Sequence, residues 1–251
     1  MPTLQNPYCT SRDPLNKLSR LDLPVIGLAH GSRHSEGSLG IERLMAAVAE
    51  QAQIPAVPAY LDLAQPDLGA AARKLAEAGY ASAVVVPLLF TEAYHATIDV
   101  PQSVQDVAES LPLHLVVADI LGTGEEVAEL LRQSMDDAGI DDRSSVLLYA
   151  VGSSKPEANQ AVFDLADRLA EGRRSPLRAC FGTCAPRATD VLHGLGEPVA
   201  IVPLFLAEGL LLSPIRALAS QHGWRMAAPL GERAADLVRR RYDAACTQYA
   251  P

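Results

Sequence analysis

The feature that most constrains this chain is an internal repeat, because two copies of one unit are expected to fold into two copies of one structure. The segment LAHGSR at residues 28–33 matches YAVGSS at 149–154, and VVPLLFTEAYH at 85–95 matches IVPLFLAEGLL at 201–211. The two matches occur in the same order in both parts of the sequence. The chain is therefore predicted to be a tandem duplication.

Each copy alternates between short apolar runs and longer segments rich in Ala, Leu and Glu. The predicted strands of the first copy are PVIGLAH, AVPAYLDLA, ASAVVVPLLF and LHLVVADIL, and two of its predicted helices are IERLMAAVAEQA and LGAAARKLAEAGY. The continuous apolarity of AVVVPLLF is typical of a strand that is buried on both faces of a parallel sheet. The pattern predicts an α/β fold made of two tandem parallel-sheet halves.

Boundaries follow from changes in composition along the chain. The first twenty residues contain three prolines and no apolar segment, which predicts a disordered tail over 1–22 rather than a signal peptide. The polar string MDDAGIDDRSS predicts the linker between the two copies. We therefore expect a first α/β half at 23–140, which carries the chemistry, and a second, degenerate half at 141–251.

Composition narrows the classes of function and partner. The chain has 30 acidic and 21 basic residues, a net charge of −9, which argues against binding to nucleic acid or to an anionic membrane surface. No apolar run reaches the roughly 18 to 20 residues of a membrane span. Four cysteines are too few for a disulfide framework, so we expect reduced thiols and a cytoplasmic protein. Cys180 and Cys184 are interpreted as two buried thiols rather than as a metal site.

Two histidines follow predicted strands of the first copy. His30 comes directly after the first strand, and His95 follows the strand AVVVPLLF. Ligands of open parallel sheets bind at the carboxyl ends of the strands, and two neutral imidazoles hold a divalent ion while leaving coordination positions open. The alternative is that His30 only caps a loop through hydrogen bonds. His34 is interpreted as an exposed loop residue.

Further polar residues are expected at the same edge of the sheet. Asp62 ends the second predicted strand, where its carboxylate could orient an imidazole or accept a proton; the alternative is that it caps the helix after Pro66. Gly31, Ser32 and Arg33 precede the first helix, where backbone amides and a guanidinium suit an acidic substituent of a substrate. The alternative for Arg33 is a solvated surface charge.

The second copy lacks both histidines. Under the repeat alignment Val151 stands at the position of His30, and Leu211 stands at the position of His95. Neither side chain binds a metal ion or carries a proton. We therefore expect one site, which lies in the first half or opens from it. Glu92 recurs as Glu208 where the histidines are lost, which favours a structural role for that glutamate.

Together, LAHGSR and VVPLLFTEAYHATIDVP resemble the motifs of the sirohydrochlorin chelatase family (CbiX/SirB-like, class II tetrapyrrole chelatases) in its long, duplicated form. The resemblance covers most of residues 23–251. It implies two flavodoxin-like halves that face a central cleft. It also implies that His30 and His95 are the metal-handling and catalytic histidines, and that Asp62 matches a carboxylate position where family members commonly carry Glu.

The resemblance further implies a lyase-type chelatase that inserts Fe2+ or Co2+ into sirohydrochlorin, for sirohaem or cobalamin synthesis, without ATP. Fe2+ is favoured. The metal ion is a substrate and no permanently bound cofactor is expected; the expected partner is sirohydrochlorin, and the expected state is a monomer. The alternative from another class is a metal carrier without catalytic activity. A histidine phosphatase is disfavoured because Ala29, and not Arg, precedes His30.

Overall fold

The computed structural model describes residues 23–92 and 98–249. The predicted tail at 1–22, with Cys9, and the second predicted metal ligand, His95, lie outside these residues. The described chain forms two four-stranded parallel sheets with apolar residues packed on both faces. The predicted α/β fold of two tandem parallel-sheet halves is confirmed.

The first half contains four strands joined by helices. Its elements are β1 (Val25–Ala29), α1 (Ser35–Ala52), β2 (Ala56–Tyr60), α2 (Leu68–Glu77), β3 (Ser82–Pro87), α3 (Val100–Ser110), β4 (His114–Val117) and α4 (Glu125–Asp137). The order of the strands across the sheet is β2-β1-β3-β4. The chain reverses direction across the sheet between β1 and β3, which is where flavodoxin-like sheets bind their ligands.

The second half repeats this arrangement. Its elements are β5 (Ser145–Ala150), α5 (Pro156–Ala170), β6 (Leu177–Phe181), α6 (Ala188–Leu192), β7 (Val199–Pro203), α7 (Ser213–His222), β8 (Arg225–Met226) and α8 (Ala235–Tyr249), with short 3-10 helices at Leu210–Leu212 and Gly231–Ala234. The strand order is β6-β5-β7-β8, the same as in the first half. The predicted linker is shorter than expected, because α4 extends to Asp137 and β5 begins at Ser145.

Backbone hydrogen bonds recur at equivalent positions of the two halves. The amide of Asp62 donates to the carbonyl of His30, and the amide of Thr183 donates to the carbonyl of Val151, both at 2.9 Å. Two further bonds match in the same way: Leu88 to Leu28 with Leu204 to Tyr149, and Tyr60 to Pro66 with Phe181 to Pro186. The register predicted from the repeat, with Val151 in the place of His30, is therefore confirmed.

The last helix of each half packs on the other half. Helix α4 contacts β7 and α5, whereas α8 contacts β3, β4 and α1. Arg241 of α8 donates to the carbonyl oxygens of Ile120 at 3.0 Å and Leu121 at 2.9 Å, and Ser134 of α4 donates to that of Ala228 at 3.1 Å. Each sheet is therefore covered in part by a helix from the other half.

One apolar core joins the two halves. It includes Leu44 of α1, Leu131 of α4, Leu165 of α5 and Val238 of α8. Two smaller clusters cover the outer faces of the sheets. Among the described residues, no helix combines the length and apolarity needed to cross a bilayer.

Strand β1 carries no polar side chain along its length. Val25 and Ala29 enter the shared core, while Ile26 and Leu28 enter the outer cluster of the first half. This alternation follows from side chains pointing to opposite faces of a strand. The first polar side chain after β1 is that of His30, directly beyond the carboxyl end of the strand.

Candidate active site at the carboxyl ends of the strands

His30 lies in a tight turn directly after β1. The residue is half-buried, and its Nδ1 atom is shielded from solvent. Gly31 follows with φ of +100°, and a Cβ atom at that position would lie 1.8 Å from the carbonyl oxygen of Asp62. Only glycine combines this backbone conformation with so close an approach. The turn thus brings the backbone of His30 against the end of β2.

Asp62 lies beside His30, as the sequence predicts. Its amide bonds to the carbonyl of His30, and its exposed carboxylate accepts a hydrogen bond of 2.7 Å from the amide of Leu63. The alternative interpretation, that Asp62 caps the next helix, is wrong. Asp67 is the N-cap of α2, and its carboxylate accepts a bond of 2.7 Å from the amide of Ala70.

Strand β3, which precedes His95 in the sequence, ends beside β1. Strand β3 pairs with β1 as far as Pro87 opposite Leu28, and the amide of Leu88 donates to the carbonyl of Leu28 at 2.8 Å. His95 itself lies outside the described residues, so the pair of imidazoles stays a prediction. Among residues 23–92 and 98–249, no group of three or more His, Cys, Asp or Glu side chains could hold a metal ion.

The turn from Ser32 to His34 leads into α1. The Ser32 hydroxyl accepts a hydrogen bond of 3.0 Å from the amide of His34. Arg33 is exposed and forms no ion pair with any other described residue. His34 lies in the loop before α1, as its N-cap, but is half-buried, so its prediction is right about the loop and wrong about the exposure. Its position at the start of a packed helix draws the ring toward the protein.

The turn containing Ser32 meets a loop of the second half. A Cβ atom at Gly37 would lie 3.0 Å from the carbonyl oxygen of Glu208, and one at Gly40 would lie 2.6 Å from the Cβ of Ala207. One at Gly209 would lie 3.8 Å from the Ser32 hydroxyl. The small residues of α1 therefore allow the loop after β7 to approach the loop after β1.

The second half presents apolar side chains where the first half carries the predicted histidines. Val151 is 41% exposed, Leu211 is 39% exposed, and Leu210 beside it is 58% exposed. Exposed apolar groups gathered at strand ends are typical of a binding surface. We call Val151, Leu210 and Leu211 the apolar wall.

Hydrogen bonds fix the backbone of the apolar wall. The carbonyl of Val151 accepts bonds from the amide and hydroxyl of Thr183 at 2.9 and 2.8 Å, and the carbonyl of Leu211 accepts one from the Tyr149 hydroxyl at 2.9 Å. The Tyr149 ring stacks on Phe205 with centroids 5.9 Å apart. Burial raises the pKa of Tyr149, so the phenol stays neutral and can donate.

The two glutamates related by the repeat have different surroundings. Glu208 forms an ion pair of 2.5 Å with Arg216, and Val100 occupies the position of Arg216 in the first half. Glu92 instead lines a cavity of about 660 Å³ at the carboxyl ends of β3 and β4, together with Asp119. The recurrence of this glutamate predicted a structural role. In the second half Glu208 has an ion-pair partner, Arg216, but the first half has Val100 at the position of that partner.

The cysteine pair is buried unevenly. Cys180 is fully buried in β6, and burial raises the pKa of its thiol to about 12. Cys184 is only half-buried, with its sulfur 3.7 Å from the amide nitrogen of Asn159. The prediction of two buried thiols is right for Cys180 and wrong in part for Cys184, which sits in the loop after the strand.

Sequence reasoning missed three polar residues of the second half: Tyr149, Thr183 and Arg187. The first two hold the apolar wall, and Arg187 follows the proline that closes the turn after β6. A signal for Arg187 exists in the repeat, since AQPD at 64–67 aligns with CAPR at 184–187. The charge of the residue after proline is reversed between the copies.

The fold and these residues define a class, the tandem flavodoxin-like proteins with polar strand ends in one half and apolar strand ends in the other. The CbiX family model matches residues 24–138 and 145–245, one segment in each half. The chain belongs to the CbiX family.

Individual relatives agree with this membership, and a solved structure shares the fold. The chain is 26% identical over 202 residues to the sirohydrochlorin ferrochelatase of Priestia megaterium, covering 76% of each protein. It is 30% identical over 78 residues to the sirohydrochlorin cobaltochelatase of Sulfurisphaera tokodaii, covering 31% of this chain and 62% of that protein. The structure of SirB from Bacillus subtilis with Fe3+ superposes with a TM-score of 0.75 at 23% identity, covering 90% of this chain and 96% of that chain.

Proposed function

We propose that this protein is a sirohydrochlorin chelatase that inserts a divalent metal ion into the tetrapyrrole without ATP. The observation that carries the proposal is the asymmetry of the two halves at one repeat position. His30 directly follows β1 in the first half, while exposed Val151 directly follows β5 in the second half. A flat ring that is apolar on its faces and must meet a metal ion at its centre requires both kinds of surface.

The reaction exchanges one ion for two protons. A divalent ion loses its water ligands and bonds to the ring nitrogens, and the two pyrrolic N–H groups release their protons. In the proposal, His30 and His95 bind the ion through neutral imidazole nitrogens, and a basic group at the same edge accepts the protons. The oxidation state of the metal does not change, so no oxidant or reductant is consumed.

The neighbours of His30 supply the remaining functions of the proposed site. The Asp62 carboxylate, beside His30 and open to solvent, passes protons from the site to water. The amides of the Gly31 and Ser32 turn and the exposed Arg33 guanidinium bind an acidic substituent of the ring. The apolar wall holds the ring face, so that binding energy far from the metal assists bending of the macrocycle.

We infer that Fe2+ is the favoured metal and Co2+ the second choice. Support for iron comes from the ferrochelatase relatives, whose alignments span both halves of this chain, whereas those named cobaltochelatases align with about a third of it. Two imidazoles bind either ion, so the preference rests on the relatives and not on the ligands.

The proposal is tested by following the absorption spectrum of sirohydrochlorin under anaerobic conditions after adding Fe2+ or Co2+, without ATP. We expect the wild type to accelerate formation of the metallated spectrum over the protein-free mixture. His30→Ala should lower that rate by at least about a hundredfold. His193→Ala is the matched control, since it removes an exposed imidazole at the end of α6.

A protein that binds the ion without accelerating its insertion would be a carrier, and the proposal would be wrong. Equal rates in wild type and His30→Ala would remove His30 from the mechanism. Circular dichroism of each variant shows whether its fold is retained.

A further inference from the structure

Equivalent turns of the two halves end in residues of opposite charge. In each half the turn after the second strand closes on a proline, and the next residue is the N-cap of the following helix. That residue is Asp67 before α2 and Arg187 before α6. Asp67 performs the ordinary capping function through its bond from Ala70. Arg187 replaces an acid with a base at the same place.

Arginine is a poor residue for this position. N-caps favour short side chains that accept hydrogen bonds, and a cation is disfavoured at the amino end of a helix. The structure compensates by placing the Asp190 carboxylate on the backbone amide of Arg187 at 2.6 Å. Departures from local preference tend to occur at functional positions. The unusual group is the guanidinium itself, and not the short helix that follows.

Two main-chain carbonyls hold the guanidinium of Arg187. It donates to the carbonyl oxygen of Gly182, and to that of Thr183 at 2.9 Å. No carboxylate of the described residues forms an ion pair with it. Carbonyl oxygens orient the group but do not neutralise its charge. The exposed guanidinium therefore keeps its charge and further N–H donors for a ligand.

The hydrogen bond to the Thr183 carbonyl connects Arg187 to one end of the apolar wall, at Val151. Thr183, whose carbonyl accepts from Arg187, donates through both its amide and its hydroxyl to the carbonyl of Val151. Arg187 and Val151 are therefore bonded to the same residue.

The hydrogen bond to the Gly182 carbonyl connects Arg187 to the other end of the apolar wall, at Leu211. A Cβ atom at Gly182 would lie 2.6 Å from the hydroxyl of Tyr149, which donates to the carbonyl of Leu211. The pKa of Tyr149 is raised by burial and by the nearby Cys180, and the positive charge of Arg187 opposes that rise. The guanidinium thus lies beside the residues that fix both Val151 and Leu211.

We propose that Arg187 binds a peripheral carboxylate of the ring whose face rests on the apolar wall. Sirohydrochlorin carries carboxylate side chains around an apolar ring, and guanidinium groups bind carboxylates through paired hydrogen bonds. The inference rests on the proposed function, because it names the part of that substrate which the second half recognises. The second half then contributes a charged contact as well as an apolar surface.

The test measures affinity for metal-free sirohydrochlorin by absorbance or fluorescence titration. Arg187→Gln should weaken binding by about tenfold, the loss of one charged contact. Arg187→Lys keeps the charge and should weaken it less. Arg178→Gln is the matched control, because Arg178 is an exposed arginine of β6, the strand before the turn that carries Arg187, and it donates to the adjacent Leu177 carbonyl at 3.3 Å. Its affinity should equal that of the wild type.

A second ligand separates charge recognition from a structural role. In the fully methylated ester of sirohydrochlorin every carboxylate is blocked, so wild type and Arg187→Gln should bind it equally. If Arg187→Gln weakens both ligands to the same extent, Arg187 only supports the loop and the inference is wrong. Unchanged affinity for sirohydrochlorin in Arg187→Gln would also overturn it. If the wild type itself neither binds nor metallates sirohydrochlorin, the proposed function fails, which is a different outcome.

Discussion

The Tyr149 hydroxyl donates a hydrogen bond of 2.9 Å to the carbonyl oxygen of Leu211, the residue at the repeat position of His95. Leu28 stands at the position of Tyr149 in the first half and has no hydroxyl to offer. The loop after β7 is therefore fixed to β5 by a side-chain bond that the first half cannot form. We interpret this as the means by which the apolar wall keeps its shape.

Tyr149→Phe should loosen the apolar wall without altering the proposed metal ligands. One hydrogen bond contributes about 1 kcal/mol, so the KM for sirohydrochlorin should rise roughly fivefold while kcat changes less. Steady-state kinetics at saturating metal measures both quantities.

Tyr242→Phe is the control for the loss of a buried hydroxyl. Tyr242 donates at 3.0 Å to the carbonyl of Leu23, on the shared core and not on the wall. It should lower the melting temperature about as much as Tyr149→Phe does, with KM unchanged. A similar rise of KM in both variants would show that the effect comes from general destabilisation.

Gly31→Ala should destabilise the protein much more than Gly79→Ala. Both glycines have positive φ, at +100° and +92°, so each substitution carries a backbone cost of roughly 1 to 2 kcal/mol. A Cβ at Gly79 meets nothing within 4 Å, whereas one at Gly31 meets the carbonyl of Asp62 at 1.8 Å. Urea unfolding of the two variants gives the difference directly. Equal losses would mean that the turn at His30 relaxes freely and does not position the imidazole.

The sequence predicts the sheets well because its strongest signals are local. The run AVVVPLLF contains most of β3, whose six residues are all buried, as its continuous apolarity indicates. The repeat then places Val151 opposite His30, and matching backbone bonds confirm that register. The polar cluster after β1 predicts the candidate site for the same reason, because it follows directly on a buried apolar strand.

The packing of α4 on the second half and of α8 on the first half could not be predicted from such local signals. An amphipathic helix shows which of its faces is buried but not which sheet buries it, and α4 is separated from both sheets by short connections. The sequence also leaves the role of Asp62 open between a site carboxylate and a cap of the helix that follows Pro66, whereas the residue that caps this helix is Asp67. Only the backbone path after β2 distinguishes the two roles.

Alkaline destabilisation should depend on Cys180. Burial raises the pKa of its thiol from an ordinary 9.0 to about 12, so the folded protein keeps the proton where the unfolded chain loses it. The stabilising contribution is present below pH 9 and is lost as the pH rises toward 12, at about 1.4 kcal/mol per pH unit. Urea unfolding between pH 8 and 10 should show a shallower decline for Cys180→Ala than for wild type. Parallel curves for the wild type and Cys180→Ala would contradict the assignment.

Helix α8 of the second half packs on the first half, so the stability of the first half should depend on the second. Substitution of Arg241 tests this dependence. Arg241 bonds to the carbonyls of Ile120 and Leu121, pairs with Glu126 at 2.6 Å, and is only 21% exposed. Arg241→Gln should cost roughly 2 kcal/mol of unfolding free energy, because the carbonyls of half-buried Ile120 and fully buried Leu121 lose their donor. Arg240→Gln removes a neighbouring charge that is 57% exposed and pairs with Asp236 and Glu126, so it should cost less than about 1 kcal/mol. Equal costs in urea unfolding would mean that α8 is not held to the first half through Arg241.

If the larger cost is found, a chain ending at residue 140 would lack the helix that covers β3 and β4. Its failure to fold should then be repaired by adding the separately expressed segment 141–251.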